Sequence, residues 1–146
     1  MVGTVTGLVA LAIAAAFTGV ALYINVAEQP ARLALDDGAM LAQWRFAYKR
    51  GFAMQASLAV LGFVFGAAAW WQTGRRAFLV GALVLLGNWP YTLLGVMPTN
   101  KALAAAKPVD AGAASRALVG RWGRLHAART ALGCASTLIF LWALAP

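Results

Sequence analysis

Charged residues, cysteine and histidine are all scarce in this chain. Only 11% of its 146 residues are charged and 62% are hydrophobic, whereas soluble domains carry about 25% charged residues. This composition excludes an ordinary soluble domain and predicts an integral membrane protein. The single cysteine, Cys134, excludes an internal disulfide and is expected to be a packing residue. The sequence also has neither a CxxC pair nor a CxxCH haem-attachment motif.

Acidic residues are outnumbered by basic ones, four against twelve, for a formal net charge of +8. In a soluble protein this excess would suggest nucleic-acid binding. Here the basic residues stand between hydrophobic segments, where membrane orientation explains them better. The expected surroundings are therefore a lipid bilayer, with no nucleic-acid partner.

Four hydrophobic segments each approach the roughly 20 residues that cross a bilayer. They cover about residues 5–26, 51–72, 78–97 and 125–144. Glu28 and Pro30 follow the first segment where a signal peptide would have a small-residue cleavage site, so we expect a retained helix. The sequence predicts an all-α membrane four-helix bundle, a single domain over residues 1–146.

Both long connections between these segments also have helical patterns. Asp36-Asp37-Gly38 is typical of a turn and a helix start, from which one long helix would enter the membrane. The alanine-rich residues 102–117 are predicted to form a short helix broken at Pro108. A short interfacial helix is therefore expected in each long connection.

The basic residues are divided unevenly between the two ends of this bundle. Ten of the twelve fall at the end with the long connections, and only Arg75 and Arg76 share the end with both termini. The positive-inside rule then places the long connections in the cytoplasm and both termini outside, in an inner or plasma membrane.

The last segment contains the only histidine of the chain. One helical stripe, at i, i+4, i+7 and i+11, carries Trp122, His126, Arg129 and Gly133. An imidazole and a guanidinium inside an apolar helix normally face a protein interior and a partner. We therefore predict that this stripe faces an enclosed site.

The first segment ends with a polar pair, Asn25 and Glu28, on one helical face. Arg129 or a protonated His126 would be the counter-charge of the carboxylate. The alternative interpretation is an ordinary salt bridge at the helix end, at the level of the lipid headgroups.

A second polar stripe leads into the next segment through Trp44, Tyr48, Gly51 and Gln55. An interfacial aromatic belt would also explain Trp44 and Tyr48. Gln55 is less easily explained in this way, because an amide in lipid requires a hydrogen-bonding partner.

The third segment contains an amide and a proline in the run Asn88-Trp89-Pro90, and it is expected to end at residues 97–100. Thr99 or Asn100 would then either cap the next helix or face the site. The polar residues of all four segments lie toward the basic end. A helical bundle can form a pocket between its helices at such an end.

Three motifs, YINVAEQPARL, PTNKAL and RWGRLHAARTALG, occur in this order on the four segments. The sequence thereby resembles the anthrone oxygenase-like membrane protein family. The resemblance implies a small four-helix membrane protein that oxidises aromatic polyketide anthrones with molecular oxygen, without an established organic cofactor. By motif, the candidate site comprises Asn25, Glu28, Asn100, Trp122, His126 and Arg129.

The expected chemistry is deprotonation of an acidic carbon followed by reaction of the anion with oxygen. His126 would be the base, and Glu28 would orient it or be the base itself. The groups expected to bind the developing oxyanion are Arg129, Asn25 and Asn100. Four aromatic side chains would stack on a flat hydrophobic substrate: Trp44, Tyr48, Trp89 and Trp122. Gln55 and Asn88 complete the set of candidate substrate-binding residues.

Other classes of function fit the same residues. His126 could be an axial haem ligand, or could share a metal ion with Glu28, although no metal site is predicted from these two ligands. A third possibility is a lipid-binding or structural protein without chemistry. Oligomerisation is possible but not indicated, since the faces of small residues could serve internal packing as easily as dimerisation.

Overall fold

The protein consists of four long helices joined by short connections. The computed structural model describes residues 2–146, with side chains from residue 3 onward. The helices are numbered α1 to α4, and their membrane-capable stretches are Gly3–Leu33, Asp37–Thr73, Arg76–Ala105 and Ala113–Leu144. Each is long and apolar enough to cross a membrane. The predicted all-α four-helix bundle is confirmed, and the protein is an integral membrane protein by the length and composition of its helices.

The first described residues of α1, the C-terminus and the tight turn between α2 and α3 lie at one end of the bundle. Arg75 Nη2 donates to the carbonyl of Ala145 (2.8 Å), and Thr6 Oγ1 donates to Gln72 Oε1 (2.8 Å). Gly74 ends α2 with a φ of 69°, a left-handed conformation that glycine adopts without steric cost. We call this end the terminal end and the opposite one, which carries ten of the twelve basic residues, the basic end.

Each helix is longer than its predicted hydrophobic span, always toward the basic end. The helix predicted in the first long connection is the beginning of α2, which starts at Asp37. Asp36 is its N-cap, since Asp36 Oδ1 accepts a hydrogen bond from the Ala39 amide (2.9 Å). The alanine-rich stretch is divided between the ends of α3 and α4, on either side of a 3-10 turn at Pro108–Asp110. The helices continue because side chains at this end pack on one another rather than facing water.

Two π-helical turns carry the chain past prolines inside α1 and α3. Ile24–Glu28 precedes Pro30, and Thr92–Val96 precedes Pro98. Proline lacks an N–H and its ring clashes with the carbonyl one turn earlier, so a wider turn accommodates it without ending the helix. The expected end of the third segment at residues 97–100 is therefore wrong, since α3 continues to Ala105.

The terminal end of the bundle is packed closely around small residues. A Cβ added to Gly66 would lie 2.8 Å from the Phe140 ring, and one added to Gly81 would lie 2.9 Å from the same ring. Alanines complete this core beside Phe17, Phe78 and Leu85. Small residues let helix backbones approach in a membrane, so the four helices are close together at this end.

The basic end has a core of larger side chains. Hydrogen bonds of Arg116 join the start of α4 to the connection between α1 and α2. The buried residues include Met40, Leu41, Leu103 and Val119. Arg116 Nε donates to Asp37 Oδ1 (2.6 Å), and its two other nitrogens donate to carbonyls of Leu33 and Leu35. These contacts hold α1, α2 and α4 together above a space that the core does not fill.

Two glycines of α4 should respond oppositely to alanine. A Cβ on Gly133 would lie 2.8 Å from Thr18 Oγ1 and 2.9 Å from the Phe17 ring, whereas one on Gly120 meets nothing within 4 Å. Gly133→Ala should lower the free energy of unfolding by about 1–3 kcal/mol through overpacking. Gly120→Ala should raise it by up to about 1 kcal/mol through helix propensity. Thermal unfolding in detergent measures both, and equal shifts would contradict this packing of α1 on α4.

Candidate functional site

A cavity of about 410 Å³ lies between α1, α2 and α4 toward the basic end. Its volume is in the range of small-molecule sites. Seven of the predicted site residues line it: Glu28, Trp44, Tyr48, Gln55, Trp122, His126 and Arg129. The stripes predicted on the second and fourth segments therefore do face each other across one cavity.

Three aromatic rings form a continuous wall of this cavity. Trp44 stacks on Tyr48 with ring centroids 4.8 Å apart and planes 8° from parallel. Trp122 meets Trp44 edge-on, with centroids 6.1 Å apart and an angle of 87°. Trp44 is 1% exposed, so it is not part of an interfacial aromatic belt. The wall offers flat apolar faces to a ligand.

His126 is buried on α4 and held by Asn25 of the π-helical turn in α1. His126 Nδ1 lies 3.0 Å from Asn25 Oδ1, which also accepts from Thr130 Oγ1 (2.7 Å). The Asn25 amide nitrogen donates to the Gly123 carbonyl (3.0 Å), which fixes the orientation of the amide. Since an amide oxygen only accepts, the proton of a neutral imidazole lies on Nδ1. Nε2, which makes no hydrogen bond within residues 2–146, is thus the basic nitrogen.

This tautomer can be measured directly, because His126 is the only histidine of the chain. With nitrogen-15 labelled histidine, NMR of the wild type should show the Nδ1–H form. Asn25→Ala should shift the ring toward the Nε2–H form, because the acceptor at Nδ1 is lost. Thr130→Val is the matched control, since it removes the other donor to Asn25 and leaves the ring contact. A wild-type ring protonated at Nε2 would contradict the assignment.

Arg129 is a buried cation without a carboxylate partner in the described part of the chain. It is 7% exposed, and its Nε has no hydrogen-bond partner. Its guanidinium stands 5.8 Å from the centroid of Phe17. Because an unpaired charge in a protein interior is costly, such a group is normally retained for a ligand or a reaction.

Two other buried N–H donors on the cavity wall are also unpartnered within residues 3–146. They are Trp44 Nε1 and Gln55 Nε2. Buried polar groups are nearly always hydrogen-bonded, so each exception requires an explanation. Together with Arg129, three residues of the cavity wall therefore carry a buried N–H group without a partner among the described residues.

Glu28 is paired within its own helix rather than with His126 or Arg129. Its Oε1 accepts from Arg32 Nη2 (2.6 Å) and from Gln43 Nε2 (2.9 Å). Arg32 also donates to Gln29 Oε1 (2.6 Å) and to Gln43. The expected counter-charge was therefore wrong, and the contact that orients the imidazole comes from Asn25. The ion pair of the alternative interpretation is present, with Arg32 only 2% exposed.

The remaining predicted residues lie beside the cavity rather than on its wall. Asn100 Oδ1 accepts from Trp122 Nε1 (3.0 Å) and so holds that ring from behind. Asn88 and Trp89 line a second, water-sized cavity of about 20 Å³ that shares Gln55 and Arg129 with the first. Neither Thr99 nor Asn100 caps a helix, because both are buried within α3.

Sequence reasoning missed four residues that shape the site. Arg32 closes the basic end of the cavity over Trp122, 5.3 Å from its ring centroid, and Phe52 and Met54 line the α2 side. Thr130 shares Asn25 with the histidine. The position of Arg32 four residues after Glu28 was a usable signal for the ion pair.

No cluster of three or more His, Cys, Asp or Glu side chains that could hold a metal occurs among the described residues. The donors that are present would suit an oxygen-bearing organic ligand, through Arg129, Gln55 and Trp44. The fold and site therefore define a helical membrane protein with an aromatic, donor-rich small-molecule cavity.

Comparison with known proteins gives the family. The sequence profile of anthrone oxygenases matches residues 44–139. An anthrone oxygenase of Claviceps purpurea (strain 20.1) is 33% identical over 117 residues, which cover 71% of this chain and 67% of that protein. The chain belongs to the anthrone oxygenase family, as its motifs predicted. No solved structure matches it.

Proposed function

We propose that this protein is a membrane oxygenase that oxidises an anthrone-like aromatic compound with molecular oxygen, without an organic cofactor. Family membership supports the reaction class. The observation that carries the mechanism is the juxtaposition in one aromatic cavity of a free imidazole nitrogen and three unpartnered N–H donors. A base and an oxyanion site are the two elements that deprotonation next to an aromatic carbonyl requires.

In this proposal His126 Nε2 removes a proton from the methylene carbon of the anthrone. The electron pair left on that carbon delocalises onto the ring carbonyl, which becomes a phenolate-like oxyanion. Arg129 supplies a positive charge to this oxygen, and Gln55 and Trp44 supply N–H donors. Asn25 accepts from Nδ1–H before and after the proton transfer, so the ring keeps its orientation.

The anion then reacts directly with dioxygen. In the overall reaction the methylene carbon loses two hydrogens and gains one oxygen atom, and the second oxygen atom leaves as water. Anthrone and dioxygen thus give anthraquinone and water in balance. A positioned base typically contributes about a hundred- to ten-thousand-fold to such a rate.

The spacing on α4 suits a substrate of this shape. His126 and Arg129 are three residues apart, so their Cβ atoms are about 5–6 Å apart on one helical face. The methylene and carbonyl carbons of an anthrone lie across its central ring, so one end can meet the base while the other meets the guanidinium. Trp44 and Tyr48 would stack on the ring faces.

We also propose that the basic end faces the cytoplasm, because ten of the twelve basic residues lie there. The surrounding membrane would be an inner or plasma membrane. Reagent access to a cysteine introduced at Gly112, in the second long connection, tests this orientation in sealed inverted vesicles.

The test of function is oxygen uptake by detergent-purified protein supplied with anthrone and no added cofactor. The expected result is equimolar oxygen uptake and anthraquinone formation, well above the spontaneous rate measured with heat-denatured protein. An absorption spectrum and elemental analysis of the same sample test the alternative, in which His126 binds haem or a metal ion. A rate no faster than the denatured control would overturn the proposal.

A further inference from the structure

The walls of the large cavity differ in exposure, and the difference shows where the cavity opens. Its α4 side is closed, since His126 is 1% and Trp122 is 6% exposed. On the α1 and α2 sides, Tyr23 is 61% and Met54 is 45% exposed, although both line the cavity. The opening therefore lies laterally, between α1 and α2.

The same cavity is closed toward the basic end. Arg32 lies over the Trp122 ring and is bound to Glu28, Gln29 and Gln43, which ties α1 to α2 across the top of the cavity. A water-soluble ligand arriving from the connections would meet this buried hydrogen-bonded cluster. The lateral opening avoids it.

Glycines form the edges of the lateral opening on both helices. A Cβ on Gly19 of α1 or on Gly51 of α2 would meet nothing within 4 Å, and both residues line the cavity. Farther along α2, a Cβ on Gly62 would clash with Leu85 of α3 and lie 3.3 Å from Ile13 of α1. Thus the space beside Gly19 and Gly51 is open, whereas α2 is closely packed on its neighbours at Gly62.

The opening lies at the edge of the apolar layer. Gly51 directly follows Lys49 and Arg50, both exposed, which are suited to the headgroup region. On α1 the exposed residue that lines the cavity is Tyr23, and its exposed neighbours along the helix, Leu22 at 46% and Val26 at 65%, are apolar. A molecule dissolved just inside the membrane would therefore meet the opening without crossing water.

We propose that the gap between Gly19 and Gly51 is a lateral portal through which a flat, largely apolar aromatic molecule passes from the bilayer into the cavity. The oxygen-bearing end of that molecule would advance toward the unpartnered donors, and its apolar end would remain toward lipid. The identity of the ligand class rests on the proposed function. The route itself rests on the exposure and the glycine edges alone.

The kinetic test uses anthraquinone as the probe, because it needs no turnover, and lipid nanodiscs as the membrane. Stopped-flow quenching of tryptophan fluorescence reports binding beside Trp44 and Trp122. Gly19→Leu and Gly51→Leu should slow association and dissociation by about tenfold each, because ligand passage then requires side-chain displacement. The dissociation constant should be nearly unchanged. Gly120→Leu, on a glycine remote from the portal, should leave both rates unaltered.

Unchanged rates in both portal variants, or equal slowing in Gly120→Leu, would overturn the route. Failure of anthraquinone to bind the wild type would overturn the ligand class. If binding occurs but anthrone is not oxidised, the portal stands and the proposed function fails.

A second measurement tests the portal without any ligand. In a Cys134→Ala background, Gly51→Cys should react faster with a lipid-soluble maleimide than with a sulfonated, membrane-impermeant one. Adding Gly19→Leu should slow that reaction. Gly112→Cys, in the second connection, should react readily with the sulfonated reagent. Preferential labelling of Gly51→Cys by the sulfonated reagent would show an opening to water and would overturn the proposal.

Discussion

Replacing Arg129 by methionine is expected to slow oxidation sharply while making the protein more stable. The guanidinium is buried without a carboxylate partner in residues 2–146, so its removal should relieve a desolvation cost. We expect the free energy of unfolding to rise by about 1–4 kcal/mol, the range seen when apolar residues replace buried ion pairs. Loss of the oxyanion partner should lower kcat by about a hundred- to a thousand-fold. Thermal unfolding and oxygen uptake on the same preparation measure both effects.

The matched controls are Arg121→Met and Arg124→Met, which alter exposed arginines of the same helix. Neither should change kcat, and neither should be stabilised to the same extent. If Arg129→Met unfolded more readily than the wild type and bound ligand equally well, Arg129 would be a structural residue. The oxyanion role would then be wrong.

Replacing His126 by glutamine is expected to lower kcat by about a hundred- to ten-thousand-fold, the contribution of a positioned base. Glutamine can still hydrogen-bond to Asn25 but cannot accept a proton at neutral pH. Binding of anthraquinone should therefore change little, so the loss should appear in kcat rather than in KM. Steady-state oxygen uptake at varied anthrone concentration separates the two.

Glu28→Gln provides the comparison for this variant, because Glu28 lines the same cavity and was the other candidate base. Its carboxylate is committed to Arg32 and Gln43, so its loss should reduce stability more than turnover. A larger fall in kcat for Glu28→Gln than for His126→Gln would reverse the assignment of the base.

Much of the site was predictable because helical periodicity fixes which side chains share a face. The stripe of Trp44, Tyr48 and Gln55 was assigned from spacing alone, and all three line the cavity together with His126 and Arg129. Ionisable and amide groups in apolar segments are conspicuous, since a membrane offers them no water. The four-helix bundle was predictable for a similar reason, because only helices or closed barrels satisfy the backbone hydrogen bonds of a chain that crosses a membrane.

Contacts between helices were less predictable, because a helical face does not specify its neighbour. Asn25 and Glu28 were assigned together as a pair on an α-helical face, yet the chain is π-helical there. Asn25 reaches His126, whereas Glu28 meets Arg32 on its own helix. Asn100 was expected either to cap a helix or to face the site, but it is buried within α3 and lies behind Trp122 rather than on the cavity wall.

Helix lengths were underestimated for a related reason. Hydropathy marks the part of a helix that crosses lipid, whereas α3 continues to Ala105 because the basic end has its own packed core, which includes Val96 and Leu103. The third segment was expected to end at residues 97–100, but a π-helical turn before Pro98 lets α3 continue, as another does before Pro30 in α1. The sequence contains the prolines and does not by itself reveal the turn that accommodates them.

The most direct test of the central claim is the deuterium isotope effect on oxygen uptake with anthrone deuterated at its methylene carbon. If His126 removes that proton in the slow step, the wild type should show a normal primary effect on kcat/KM. The residual rate of His126→Gln should fall toward that of the denatured control. An enzyme-catalysed rate that is equal for both isotopologues and unaffected in His126→Gln would contradict base-assisted oxidation in this cavity.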